Sequence, residues 1–217
     1  MKSSDDVNSP ESKRPASSML LLGLVSYLLV VCFPGVLALL TDPEILASGP
    51  VYSAFTISGI SAFSIVASQF VLAARFPPLL RIFGAPAMLR LHQIMAFVAT
   101  GFVALHIALL LWAKVSWDLL LSPWVGWPIQ LGRIAVLGLL VTVGISLGRK
   151  HIPINNADWR FFHGILAWTI LLCGFVHSLI LGSSFQSPAF AIAWVGYFTV
   201  AVLCGLAKRE SEKKIPA

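Results

Sequence analysis

The chain has 217 residues, of which 58% are hydrophobic and only 11% are charged, and its mean hydropathy is +0.87. A soluble domain of this size cannot bury so much apolar surface, because a small protein has a large surface relative to its volume. The formal net charge of +6 lies in short segments between apolar runs, which indicates membrane topology and argues against nucleic-acid binding. We therefore predict an integral membrane protein in contact with lipid.

Residues 1–18 are polar and rich in serine and charged side chains, and we predict a disordered cytoplasmic tail there. Six apolar runs follow, each long enough to cross the hydrocarbon core of a bilayer. They lie at about residues 19–40, 51–74, 89–112, 129–147, 160–181 and 188–207. Glycine and proline clusters separate them, and residues 208–217 form a second polar tail. The sequence thus predicts one all-α domain, an integral membrane six-helix bundle over residues 19–207.

The basic residues predict the orientation of this bundle. Thirteen of the 15 lysines and arginines fall on one side of the predicted spans. They lie in both terminal tails, in the loop before the third span and in the loop before the fifth span. Because cytoplasmic loops carry the excess of lysine and arginine, we predict that both termini are cytoplasmic. The expected location is the plasma (inner) membrane, with multiple passes.

Four of the five histidines lie in two spans, His92 and His106 in the third and His163 and His177 in the fifth. The two histidines of each span are 14 residues apart. On an α-helix this separation is about 40° short of four full turns and rises about 21 Å. Each span therefore presents two imidazoles on one face, one near each side of the bilayer core.

The third and fifth spans run in the same direction, so the four histidines meet at two levels. We call His92 and His163 the inner pair, and His106 and His177 the outer pair. Two facing imidazoles at one depth can ligate an iron ion from opposite axial positions, with a flat porphyrin between the helices. Zinc or di-iron ligands would instead cluster at one point, often with carboxylates. The pattern predicts two stacked haems b whose filled axial positions favour electron transfer over oxygen binding.

The segments that contain these histidines, LHQIMAFVATGFVALH (91–106) and FHGILAWTILLCGFVH (162–177), resemble the ferric reductase-like transmembrane domain. That family includes ferric-chelate reductases, the membrane part of NADPH oxidases and the bacterial haem subunit of the periplasmic methionine sulfoxide reductase system. The resemblance extends to the six spans, to histidines on the third and fifth spans, and to the basic second and fourth loops. It implies the membrane subunit of an oxidoreductase.

Many members of that family continue into FAD- and NAD(P)H-binding domains after the sixth span. No Gly-rich dinucleotide fingerprint occurs in this chain, so we expect a partner to bind those cofactors. The expected donor is a cytoplasmic flavoprotein or ferredoxin-like protein, which the basic loops would attract by complementary charge. Electrons would pass from the inner to the outer haem and then to ferric iron, oxygen or a periplasmic partner.

Three arginines are candidates for binding the anionic haem propionates. Arg90 and Arg160 closely precede the inner histidines, and Arg133 lies near the outer end of the fourth span, with Lys114 in the loop before it. The positive-inside rule alone explains Arg90 and Arg160 equally well. Arg133 is the stronger candidate, because it lies on the side where basic residues are few.

Two other functions remain open. A quinol-oxidising cytochrome b also carries histidines about 14 residues apart on parallel helices, although its second and fourth spans usually hold them. A proton or solute transporter uses membrane histidines as relays. The third and fifth spans offer mainly Thr100, Trp168 and Thr169 as additional polar groups for such a relay.

Overall fold

The computed structural model describes residues 17–113 and 117–213, and its regular elements there are all helical. Residues 1–16 of the predicted tail, Lys114 and residues 214–217 lie outside this part of the chain. The described residues form α1 (Ser17–Thr41), α2 (Pro43–Ala47), α3 (Pro50–Ala73), α4 (Pro77–Trp112), α5 (Asp118–Leu121), α6 (Trp127–Gly148), α7 (Asn156–Leu181) and α8 (Pro188–Lys213). Short 3-10 turns occupy Arg149–His151 and Ser183–Gln186.

Six of these helices are long and apolar enough to cross a membrane, namely α1, α3, α4, α6, α7 and α8. The predicted all-α, six-span bundle is therefore confirmed. Proline occupies the first turn of α2, α3, α4 and α6, where its missing N–H removes no helical hydrogen bond. The short helices α2 and α5 are additions that the apolar runs alone did not predict.

Helix α4, which contains the third predicted span, begins before the apolar run of that span and bends at Gly84. Helical geometry starts at Pro77, not at residue 89, and Gly84 interrupts it with φ +72° and ψ 155°. Residues other than glycine rarely adopt this backbone conformation. The segment before the bend packs on α1, where Phe83 lies so close to Gly23 that a Cβ atom there would be 2.6 Å from its ring.

Helix α3 lies at the centre of the bundle and packs against α1, α4, α7 and α8. Its Phe63 and Phe70 form a core with Leu171 of α7 and with Phe190 and Trp194 of α8. Its buried serine hydroxyls all donate to carbonyl oxygens three or four residues earlier, which satisfies them in apolar surroundings. This helix therefore fixes the positions of the helices around it.

Large apolar side chains cover the outside of the long helices. Leu22 is 68% exposed, Leu40 78% and Ile192 74%. In water such a surface would drive aggregation, whereas lipid tails are as apolar as the side chains themselves. The outer surface of the bundle is therefore suited to contact with lipid.

The packing leaves a cleft between the two helices that carry the histidine pairs. The helix pairs α3–α4 and α6–α7 pack along each other, while α4 and α7 make no comparable contact. Residues of α3, α4, α6 and α7 line the space between them. The candidate site lies in this cleft.

Candidate metal centre

The fold brings the inner pair together across the cleft. The ring centres of His92 and His163 are 6.1 Å apart, and their planes are inclined by 69°. Two imidazoles on opposite sides of one metal ion have ring centres about 6 Å apart, because each metal–nitrogen bond is about 2 Å and each nitrogen lies about 1 Å from its ring centre. The observed separation therefore suits a single iron ion between the two rings.

The walls of this cleft combine small and apolar side chains with a few polar ones. Ala96 and Ala99 of α4 and Ala167 of α7 face it, and such small residues leave room between the helices. The other lining residues are Val66, Gln69, Phe70, His92, Leu139, Thr142, Val143, His163 and Ile170. Pockets for flat organic cofactors are of this kind, mostly apolar with a few polar groups.

Four buried side-chain nitrogen and oxygen atoms in the described part of the chain have no hydrogen-bond partner, and all four belong to residues of this cleft. They are Nδ1 of His92, Nδ1 of His163, Oε1 of Gln69 and Oγ1 of Thr142. Buried polar atoms in folded proteins are nearly always paired. Their concentration at one place makes this cleft the candidate site.

The outer pair is held by backbone carbonyl groups. Nδ1 of His106 lies 2.9 Å from the carbonyl oxygen of Phe55 in α3, and Nδ1 of His177 lies 2.8 Å from that of Pro128 in α6. An Nδ1–H that donates to a carbonyl leaves Nε2 with its lone pair free. Histidines that bind metal ions are almost always oriented in this way. Both outer histidines therefore have the arrangement of a ligand.

Two glycines allow the outer imidazoles to reach those carbonyls. A Cβ atom on Gly59 would lie 2.8 Å from Nδ1 of His106, and one on Gly132 would lie 2.7 Å from Nδ1 of His177. Each glycine comes four residues after the residue whose carbonyl accepts the bond. The ring of Phe55 also stacks on the imidazole of His106, with ring centres 4.2 Å apart. Both rings thus lie directly against a helix backbone.

Arg133 uses all its N–H groups in hydrogen bonds, four to backbone carbonyls before α6 and one to Gln130 of its own helix. Its Nε donates to the carbonyl oxygen of Leu119, Nη1 donates to that of Ser122 and to Oε1 of Gln130, and Nη2 donates to those of Asp118 and Leu119. These distances run from 2.6 to 3.2 Å. The guanidinium therefore holds this loop in place. A propionate would have to replace some of these carbonyls, and its binding at Arg133 stays a prediction.

The cations near the inner pair come from three helices. Arg90 is exposed six residues after the bend of α4 at Gly84, and Arg160 is exposed near the start of α7. Lys208 of α8 is partly buried and lies close enough to His92 and His163 to interact with both electrostatically. The sequence did not single out Lys208, because it follows the last apolar run and was assigned to the polar tail.

The donor set suits a macrocycle better than a bare metal ion. Within residues 17–113 and 117–213, no three His, Cys, Asp or Glu side chains come together. A structural zinc ion or a di-iron centre needs such a cluster. A haem iron ion takes four ligands from its porphyrin and needs only two axial ones from the protein. His92 with His163, and His106 with His177, are the residues that would supply these two ligands.

Comparison with known families finds a match over most of the helices that line the cleft. The family model described as ferric reductase like transmembrane component matches residues 58–174, more than half of the chain. That range includes His92, His106 and His163 and ends three residues before His177. Neither a curated protein nor a solved structure matches the chain. Ferric reductase-like domains generally bind haem. The match covers α4, α6 and most of α3 and α7, and it shows that the chain belongs to the ferric reductase-like transmembrane family.

Proposed function

We propose that the chain binds two haems b, one between the inner pair and one between the outer pair, and carries electrons across the membrane. The observation that carries this proposal is the 6.1 Å separation of the His92 and His163 ring centres across a cleft between helices that otherwise lie apart. The bonds from His106 and His177 to carbonyl oxygens support the second site. When bound, the haems supply the one-electron chemistry.

The bundle has a basic face where α3 and α6 end and where α4 and α7 begin. Four arginines are exposed there, namely Arg75, Arg81, Arg90 and Arg160. The guanidinium carbon of Arg149 lies over the ring of Trp159, 5.5 Å from its centre. In our proposal this inner face is cytoplasmic and attracts an acidic flavoprotein or ferredoxin-like donor. That partner, and not this chain, binds FAD and NAD(P)H.

The opposite face holds the outer pair beneath the loop that Arg133 organises. Pro128, which accepts the bond from His177, is the second residue of α6 and lies next to that loop. In our proposal electrons leave at this face to ferric iron, oxygen or a periplasmic partner. The protein is then the multi-pass membrane subunit of an oxidoreductase in the plasma (inner) membrane.

Each proposed haem carries two propionates, which need cations near the membrane faces. At the inner level, Arg90, Arg160 and Lys208 are the proposed partners. At the outer level, Arg133 is the proposed partner, on condition that a propionate replaces part of its carbonyl shell. Iron ligation itself depends on the four histidines only.

The test is a dithionite-reduced minus oxidised spectrum of the purified, haem-supplemented protein, with a pyridine haemochrome assay. Two haems b per chain are expected. A colourless preparation would reject the proposal and favour a histidine-relay transporter. Haem that a quinol analogue reduces rapidly, and that ferredoxin or flavodoxin does not reduce, would favour a quinol-linked cytochrome b.

A further inference from the structure

We propose that Gln69 and Thr142 are positioning residues for the inner pair. With the inner haem bound, Oε1 of Gln69 would accept a hydrogen bond from Nδ1–H of His92, and Oγ1 of Thr142 would accept one from Nδ1–H of His163. None of these four atoms has a hydrogen-bond partner in the structure. The inference rests on the proposed function, because Nδ1 carries the proton when Nε2 binds the iron ion.

The four unpartnered atoms of the cleft divide into two donors and two acceptors. With iron on Nε2, His92 and His163 each have an Nδ1–H without an acceptor. The amide of Gln69 has a fixed orientation, because its Nε2 donates to the carbonyl oxygen of Ile65 at 3.3 Å. Its Oε1 is therefore the free acceptor. Oγ1 of the buried Thr142 is the second one.

Each acceptor lies on the helix that packs along one of the two histidine-bearing helices, and all four residues line the same cleft. Gln69 belongs to α3, which packs along α4 and therefore along His92. Thr142 belongs to α6, which packs along α7 and therefore along His163. The same neighbouring helices supply the carbonyl oxygens to the outer pair. Each half of the bundle thus has one helix with ligands and one helix that supports them.

A spacing common to both halves gives the level of each acceptor. Gln69 comes 14 residues after Phe55, and Thr142 comes 14 residues after Pro128. On the antiparallel neighbours, each inner histidine comes 14 residues before its outer one. Fourteen residues of helix rise about 21 Å, so both the step along α3 or α6 and the step along its histidine-bearing neighbour span the distance between the outer and inner levels. Gln69 and Thr142 therefore support the inner pair where the two carbonyl groups support the outer pair.

An acceptor on Nδ1–H changes the properties of the ligand. It fixes the plane of the ring, and it makes the imidazole a stronger electron donor to the metal. A stronger donor stabilises ferric over ferrous iron and so lowers the midpoint potential. Removing either acceptor should raise the midpoint potential of the inner haem and leave the outer haem unchanged.

The experiment is a potentiometric titration of the full-length, haem-loaded protein and of Gln69→Leu and Thr142→Val. The inner component is the one that His92→Ala removes. We expect each substitution to shift the reduction equilibrium of the inner haem about tenfold toward the ferrous state. This corresponds to a midpoint potential about 59 mV higher for a one-electron couple. The highest g value in the EPR spectrum of the ferric inner haem should also change, because the ring is no longer fixed.

Matched variants separate the acceptor from general packing. Gln69→Glu and Thr142→Ser keep an oxygen atom, so their inner potentials should stay at or below that of the wild type. Ser68→Ala and Ser146→Ala remove neighbouring hydroxyls whose bonds go to other groups. Both potentials should be unchanged in these two controls.

The inference is overturned if the protein holds two haems and both acceptor-removing variants keep the wild-type inner potential. Should Gln69→Leu give too little protein, Thr142→Val decides alone, because valine has nearly the volume of threonine. A wild-type protein without haem would instead overturn the proposed function, and the inference with it.

Discussion

The imidazole of His177 lies directly against the backbone of Gly132, so that a Cβ atom at position 132 would be 2.7 Å from Nδ1. Gly59 has the same relation to His106, at 2.8 Å. An imidazole is rigid, so it cannot yield to an added methyl group by bending. Either the ring turns away from its carbonyl acceptor or the two helices separate.

Alanine at either glycine should therefore impair the outer site. For Gly132→Ala and Gly59→Ala we expect about tenfold weaker binding of the outer haem, the usual scale for loss of a supporting contact to a ligand. Haem titration of the purified variants measures this directly. The matched control is Gly144→Ala on the same helix as Gly132, where a Cβ atom meets nothing within 4 Å. Native outer-haem affinity in both test variants would contradict the account.

Arg133 should contribute to stability through its bonds to the loop before α6. Arg133→Leu leaves the carbonyl oxygens of Asp118, Leu119 and Ser122 without these donors. We expect a loss of about 2–3 kcal/mol, since hydrogen bonds to charged groups are worth more than neutral ones. A lower melting temperature in detergent and faster proteolysis in the loop would show it.

The lysine variant separates the charge of Arg133 from the shape of its guanidinium. Arg133→Lys keeps the cation but cannot make five directed bonds, so its stability should be intermediate. If Arg133→Leu were as stable as the wild type and changed only the outer haem potential, propionate binding would be the better account of this residue.

Asp42 should stabilise the connection between two loops on the outer face. Its carboxylate accepts bonds from Ser183 at 2.9 Å and from Ser184 at 3.0 Å, and it is only 7% exposed. Asp42→Ala removes the acceptor from both hydroxyls, which should cost about 1–3 kcal/mol. Thermal unfolding in detergent measures the loss, and Glu44→Ala, a change at an exposed neighbouring acid, should have little effect. Equal melting temperatures for the two variants would contradict this role.

Electron entry at the basic face should depend on ionic strength. With reduced ferredoxin as a model acidic donor, the rate of haem reduction should fall as salt screens the exposed arginines. Charge reversal in Arg75→Glu and Arg81→Glu should slow reduction at low salt and bring it close to the high-salt rate. A rate that depends neither on salt nor on these substitutions would rule out charge-guided docking.

The six helices and the four histidines followed from hydropathy and from one repeated spacing. Lipid imposes long apolar runs on every span, and the 14-residue step places two side chains on one helix face. The inner pair at His92 and His163 therefore needed no knowledge of tertiary structure. The bend at Gly84 was missed, because a single glycine beside a proline-rich loop does not show where a helix resumes.

The groups that hold the candidate histidines were not predicted, because most of them are backbone carbonyls, which no residue type marks. Every residue has a backbone carbonyl oxygen, so the amino-acid sequence does not identify Phe55 or Pro128 as hydrogen-bond acceptors. Gly59 and Gly132, four residues after these acceptors, were the available signal. Their role becomes clear only from the packing of α3 on α4 and of α6 on α7. The bonds from Arg133 to its loop also arise only in the folded chain.

The most direct test of the two-level arrangement is a haem count on paired histidine substitutions. The wild type and the His151→Ala control should hold two haems per chain, and any single ligand substitution to alanine should leave one. The double variant His92→Ala/His163→Ala should also retain one haem, because both changes affect the inner site, whereas His92→Ala/His106→Ala should retain none. A haem that survives in the second double variant and disappears in the first would show that the histidines pair along one helix and not across the cleft.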